Sequence, residues 1–126
     1  MIYLKNGHSI LISNVGSLAS RTHASYADVA GAVLDGASAI VSSSAATYSV
    51  ATYSGSGTRN VRLVTVTNDG ATPGLFGIYH NDGTFTAPIG KAMLQPGQVL
   101  IYNEASGVQV SSAESSTLAT LTLPDT

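Results

Sequence analysis

Residues 67–83 read TNDGATPGLFGIYHNDG. The tripeptide Asn-Asp-Gly stands at 68–70 and again at 81–83, with the apolar run Leu75 to His80 between the copies. Acidic, glycine-containing loops hold cations when several oxygen donors alternate and a bidentate Glu closes the loop. Here the first copy is followed by Ala71, Thr72 and Pro73, and the second by Thr84, Phe85 and Thr86. Neither stretch supplies a second carboxylate. Asn and Asp ahead of Gly are also strong hairpin signals, because Gly accepts the positive φ that tight turns require. The turn reading is therefore preferred, with Gly70 and Gly83 at positive φ and hairpins at both ends of a strand from Leu75 to His80. Alternation puts Phe76 and Ile78 on one face of that strand and Leu75 and Tyr79 on the other.

Outward from this stretch, residues 60–126 continue as short runs rich in Val, Thr, Leu, Ile and Tyr, punctuated every eight to twelve positions by turn residues. That spacing indicates an antiparallel all-β unit. Strands are expected at Asn60 to Thr67, Leu75 to His80, Gly90 to Leu94, Gln98 to Asn103, Val108 to Ser111 and Thr117 to Leu123. In the last, Ala119, Leu121 and Leu123 share a face opposite Thr120 and Thr122, the pattern of a sheet with one buried side. Gln95-Pro96-Gly97-Gln98 fits a type II turn, and Thr72-Pro73-Gly74-Leu75 repeats its chemistry.

The first 59 residues are less regular. Ile2 to Leu4 and Ser9 to Ser13 read as a hairpin turning at Asn6-Gly7, the favoured pair for a type I′ turn. Between Ala27 and Ile40, Val29, Val33, Gly36, Ala37 and Ile40 would share a helical face. Gly31 and Gly36 each weaken a helix by about 1 kcal/mol relative to Ala, so strands and extended chain are preferred over a short helix. The echo Ala-Thr-Tyr-Ser at 46–49 and 51–54 is too closely spaced for a structural repeat. It indicates one strand around Thr47 to Tyr53, followed by a flexible loop from Ser54 to Thr58. The expected fold is an antiparallel β-sandwich or barrel-like module over residues 60–126. Residues 1–59 supply strands and a partly extended arm packing on it, and the whole forms one domain.

Composition bears on function. Charged residues make up 10% of the 126, and the formal net charge is −2. Ser and Thr together make up about 24% of the chain. Such a surface is weakly solvated by charge and easily buried against neighbouring copies. Nucleic acid is not expected as a partner, since phosphate binding needs clustered cations and only Arg59 and Arg62 lie close together. The absence of cysteine removes disulfides, thiolate nucleophiles and Cys-type zinc sites. The N-terminal bursts MIYL and SILI are broken by Lys5, Asn6, Gly7 and His8, which fits neither a signal peptide nor a membrane span, so synthesis in a cytoplasm is expected.

Chemical constellations are sparse. His8, His23 and His80 share no HxH or HExxH spacing. Gly55-Ser56-Gly57 lies in a small-residue loop rather than a nucleophile elbow. The carboxylates Asp28, Asp35, Asp69, Asp82, Glu104, Glu114 and Asp125 are scattered, and no spacing selects a catalytic pair. Tyr3, Tyr26, Tyr48, Tyr53, Tyr79 and Tyr102, with Phe76 and Phe85, are the large rings available. They suit strand faces and subunit contacts better than a sugar-stacking site, since no Tyr, Asn, Asp and Gln cluster converges in one loop. The sequence thus nominates no catalytic, cofactor-binding or metal-ligating residue, and no enzyme activity is expected.

The stretch VRLVTVTNDGATPGLFGIYHNDG, with AMLQPGQVLIYNEASGVQVSSAESSTLATLTL, resembles small tailed-bacteriophage virion proteins in its cadence of strand, Asn-type turn, strand, Pro-Gly turn, strand, loop and closing strand. The likeness covers Asn60 to Leu123 and is nearest to capsid decoration (cement) and head or tail accessory proteins. It implies a homo-oligomer, with a trimer favoured, bound in many copies to the major capsid protein or other virion subunits. The localisation it implies is the virion. A carbohydrate- or receptor-binding module of a tail fibre or spike is the alternative expectation.

Overall fold

The computed structural model describes residues 2–31 and 33–111. Ten strands run in the order β1 (Ile2–Leu4), β2 (Ser9–Asn14), β3 (Ser20–Ala30), β4 (Val33–Ser43), β5 (Thr47–Val50), β6 (Thr58–Asn68), β7 (Gly74–Asn81), β8 (Thr86–Leu94), β9 (Val99–Asn103) and β10 (Gly107–Ser111). They form two antiparallel sheets, as a β-sandwich does. The first has the order β10-β9-β6-β3-β4, with β1 also paired to β6, and the second has the order β5-β2-β7-β8. Strands from before and after residue 60 are interleaved in both sheets.

The two-residue period of a strand explains the core. In β2, Ile10 and Ile12 are fully buried, and in β7 Phe76 and Ile78 are fully buried, while Leu75 faces outward. The first sheet answers with Leu4, Ala24, Val61, Val64, Val66 and Leu100. In β6 the alternation slips, since Val61 and Val64 are both buried although three residues apart. A bulge resolves this. The β3–β6 register shifts between Ser25 and Tyr26, so Arg62 is the extra residue and the inward face is restored beyond it.

Several expected strands agree with the structure, and Thr117 to Leu123 lies outside the described residues. Between Ala27 and Ile40 the chain is β3 turning into β4, with Asp28 opposite Asp35 and Ala30 opposite Val33, so the helical alternative does not hold. β8 begins at Thr86, four residues before the expected Gly90. The strand at Thr47 ends at Val50, because Ala51 takes a φ of 58° and breaks the extended chain.

The expected hairpin of Ile2 to Leu4 with Ser9 to Ser13 does not form. β1 pairs with β6 in the first sheet, and β2 pairs with β5 and β7 in the second. The turn itself is present, since His8 N donates to Lys5 O at 2.9 Å and Gly7 has a φ of 84°. Asn6, however, is not at positive φ, which makes the turn type II in character rather than I′. A type II turn splays the strands it joins instead of matching their twist. It is further held to another segment by Gly7 N donating to Tyr53 O and Gly55 N donating to Asn6 Oδ1. The chain therefore crosses from one sheet to the other.

Candidate functional site

The two Asn-Asp-Gly copies adopt related local bonding at different depths. In the second, Gly83 N donates to Asn81 Oδ1 at 2.7 Å, and Thr84 N and Phe85 N donate to Asp82 Oδ1 at 2.8 and 2.6 Å. Gly83 has a φ of 93°, and the unit closes the β7–β8 hairpin as expected. In the first, Gly70 N donates to Asn68 Oδ1 at 2.8 Å, but Gly70 is not at positive φ and the loop crosses from β6 to β7 in the other sheet. A hairpin is impossible there because the flanking strands are not neighbours. Asn68 is instead fully buried, donating from Nδ2 to Thr72 O and Leu94 O at 3.0 Å each. Gly97, at a φ of 85°, completes the expected Pro-Gly turn, with Gln98 N donating to Gln95 O at 2.9 Å. At Thr72-Pro73-Gly74 no such turn occurs. Gly74 opens β7, and what it provides is room, since a Cβ there would lie 2.5 Å from Leu18 Cδ1.

The acidic residues of these units are occupied by internal partners. Asp69 takes a bidentate ion pair from Arg21, with Nε to Oδ2 at 2.6 Å and Nη2 to Oδ1 at 3.1 Å. Asp28 takes another from Arg59, at 2.7 and 2.9 Å, while Arg59 Nη1 also donates to Thr52 O. The Arg59 guanidinium lies 3.9 Å from the centre of the Tyr26 ring and 5.3 Å from that of Tyr53. Its pKa is raised, chiefly by the hydrogen bond to Asp28, with burial opposing. Arg59 is therefore an internal clamp tying β6 to β3 and to the 51–53 loop. Arg62 stands apart from it at the bulge, lining an open hollow with Ser25, Tyr26 and Ala37.

The hydroxyls are likewise engaged. Tyr48 OH bonds both Ser20 Oγ and Thr22 Oγ1 at 2.7 Å, joining the edge strand of the second sheet to β3 of the first. Tyr53 and Tyr102 are buried, Tyr26 covers Arg59, and only Tyr3 is more than half exposed among the described tyrosines. No buried side-chain polar atom among the described residues lacks a hydrogen-bond partner, so none is left aimed at a ligand. The second hollow, about 180 Å³ and lined by Arg21, His23, Ile40, Thr65 and Thr67, is also an open depression on the outer face of the first sheet.

One contact between ionisable groups has no counterpart in the sequence pattern. His8 Nδ1 and His80 Nε2 lie 3.1 Å apart although 72 residues separate them, with ring centroids at 5.1 Å. Burial pushes the His80 pKa down, the charge of His8 adds to this, and Asp82 opposes it. The Asp82 pKa is lowered, first by the amides of Phe85 and Thr84 and then by both histidines. His23 lies elsewhere, on β3 opposite Ile40 and Thr65. No group of three or more His, Asp or Glu residues that could hold a metal converges among the described residues.

The sheet edges differ in how they are protected. β8 carries Pro88, Lys91 and a bulge at Ile89, where the register passes from Ile78–Gly90 to Tyr79–Pro88. β5 has four residues. β4 has eleven, pairs only with β3 among the described residues, and contains no Pro, Lys or register shift. Gly36, Ala37, Ser38 and Ile40 along it are exposed.

What the fold and these contacts define is a small two-sheet β protein whose polar groups serve its own frame and whose most open feature is a sheet edge. No protein-family model, curated protein or solved structure matches the chain significantly.

Proposed function

We propose that the protein is a structural subunit that acts by packing against copies of itself and against neighbouring subunits of a larger shell. The observation that carries this reading is β4, eleven residues of edge strand with none of the devices that blunt β8. An edge strand of this length, with Asp35 its one charged residue, offers a row of main-chain donors and acceptors to an added strand. The side chains at its centre, Gly36 to Ala39, are small, so a neighbour's backbone can approach closely there. A chain with 10% charged residues and a net charge of −2 sets little repulsion between copies.

The kind of assembly comes from the resemblance of residues 60–123 to tailed-phage virion proteins. On that basis we place the protein among capsid decoration or head–tail accessory subunits, bridging neighbours and stabilising the joints by the surface it buries. Mass spectrometry of purified particles from the parent source tests the placement, and absence of the protein from them would end it. The assembly mechanism is tested separately by light scattering across a concentration series. Self-association is expected for the wild-type chain, and Ala37→Lys with Ile40→Lys is expected to return it to monomer with the melting transition of the monomer unchanged. A wild-type chain that stays monomeric at all concentrations would count against β4 as a joint between copies.

A further inference from the structure

We propose that His8 and His80 form a two-imidazole site for a late divalent transition ion, Zn²⁺ or Cu²⁺. The two facing nitrogens, Nδ1 of His8 and Nε2 of His80, are 3.1 Å apart. Zinc–imidazole bonds of about 2.0–2.1 Å in a tetrahedral shell set neighbouring ligand nitrogens roughly 3.3 Å apart. The pair therefore already holds nearly the separation that chelation requires, and an ion enters by replacing the single N–H···N contact after a small ring rotation.

Both rings are carried on fixed backbone. His8 N donates to Lys5 O, and His8 O accepts from Tyr53 N. His80 sits within β7, opposite Ile10 of β2 and Ala87 of β8. Ligand positions set by hydrogen-bonded backbone lose little freedom on binding, which favours chelation by only two side chains. Neither ring makes another hydrogen bond within the described residues, so His8 Nε2 and His80 Nδ1 do not oppose the rotation.

The surroundings fit the same ion. Both rings are half-buried, and at His80 burial favours the neutral imidazole that a metal needs. Asp82 lies within electrostatic reach of both. Its Oδ1 is taken by the amides of Thr84 and Phe85, so Asp82 contributes its negative charge to the site rather than a ligand. Water fills the remaining positions, since no third ligand is in place. Two imidazoles select Zn²⁺ and Cu²⁺ over Mg²⁺ and Ca²⁺, which demand oxygen shells.

The test is a titration of chelator-treated protein with ZnCl₂, followed by calorimetry and by the imidazole resonances in NMR. The expected result is one ion per chain, with the His8 and His80 ring signals shifting together and that of His23 unmoved. His8→Ala and His80→Gln should each abolish saturation, His23→Ala should preserve it, and MgCl₂ should give no shift. The wild-type ring signals answer the question even where a variant folds poorly. Absence of saturable binding, binding unchanged in both pair variants, or equal shifts with MgCl₂ would overturn the site. None of these outcomes bears on the packing role proposed above.

Discussion

Asn68 and Asn81 head the same tripeptide, yet they carry different shares of the stability. The carboxamide of Asn68 is sealed inside the molecule, where it satisfies Thr72 O, Leu94 O and Gly70 N at once. It thereby fastens the end of β6 to the crossover loop and to the end of β8. Replacing it with Ala leaves the buried Leu94 O without this partner and frees Thr72 O and Gly70 N at the partly buried edge of the loop. Asn68→Ala is expected to cost about 3 kcal/mol. Asn81 bonds Gly83 N and Thr86 Oγ1 at the rim of a hairpin, where water substitutes readily. Asn81→Ala is expected to cost about 0.5–1 kcal/mol. Urea unfolding of the two variants checks the contrast, and equal losses would show that the crossover loop does not depend on its buried amide.

Among the elements, β5 is the one whose attachment rests most on a single side chain. It has four residues and lies at the edge of the second sheet, paired only with β2 among the described residues. Tyr48 sends its hydroxyl across to Ser20 and Thr22 on β3, so this short strand fastens one side of the sandwich. Tyr48→Phe keeps the ring and leaves two buried hydroxyls short of a partner, for an expected cost of about 1–2 kcal/mol. Hydrogen exchange should report it locally, with the amides of Thr47–Val50 losing protection before those of β6. Equal loss of protection throughout would mean that β5 does not open on its own.

The elements also show what the sequence could and could not disclose. Phe76 and Ile78 were legible as one face of a strand because a strand's alternation is a local property. The bulge at Arg62 and the separation of β1 from β2 were not, because they depend on which strand lies alongside. Asn6-Gly7 signals a turn in either case; whether it closes a hairpin or starts a crossing is decided by Tyr53 and Gly55, nearly fifty positions away. The same limit hid every cluster at the candidate sites. Arg59 with Asp28, Tyr48 with Ser20, and His8 with His80 are joined by the register of distant strands, and none has a motif of adjacent residues.

For the molecule as a whole, His80 makes folding stability depend on pH, apart from any metal. The folded-state pKa of His80 lies below its ordinary value of 6.5, first because burial disfavours the cation and then because His8 faces it. Between the folded value and 6.5 the unfolded chain therefore binds more protons at this position than the folded chain. Stability then rises with pH across that window and falls as the solution is acidified through it. Asp82 acts in the same direction at lower pH. Its folded pKa is depressed by the amides of Phe85 and Thr84, so the stability it contributes is present above the unfolded value of about 3.8 and is lost as pH falls through the folded value. Two acid limbs are expected in chelator-treated protein, one opening just below pH 6.5 and one below pH 4. Urea unfolding is the suitable measurement, because the sequence pI of about 5.8 places zero net charge within the pH range scanned, where heated chains aggregate. His80→Gln should flatten the upper limb and leave the lower, while Asp82→Asn should do the reverse. A wild-type stability that is level from pH 7 to pH 5 would mean that neither burial nor the facing ring holds the His80 pKa below its ordinary value in solution.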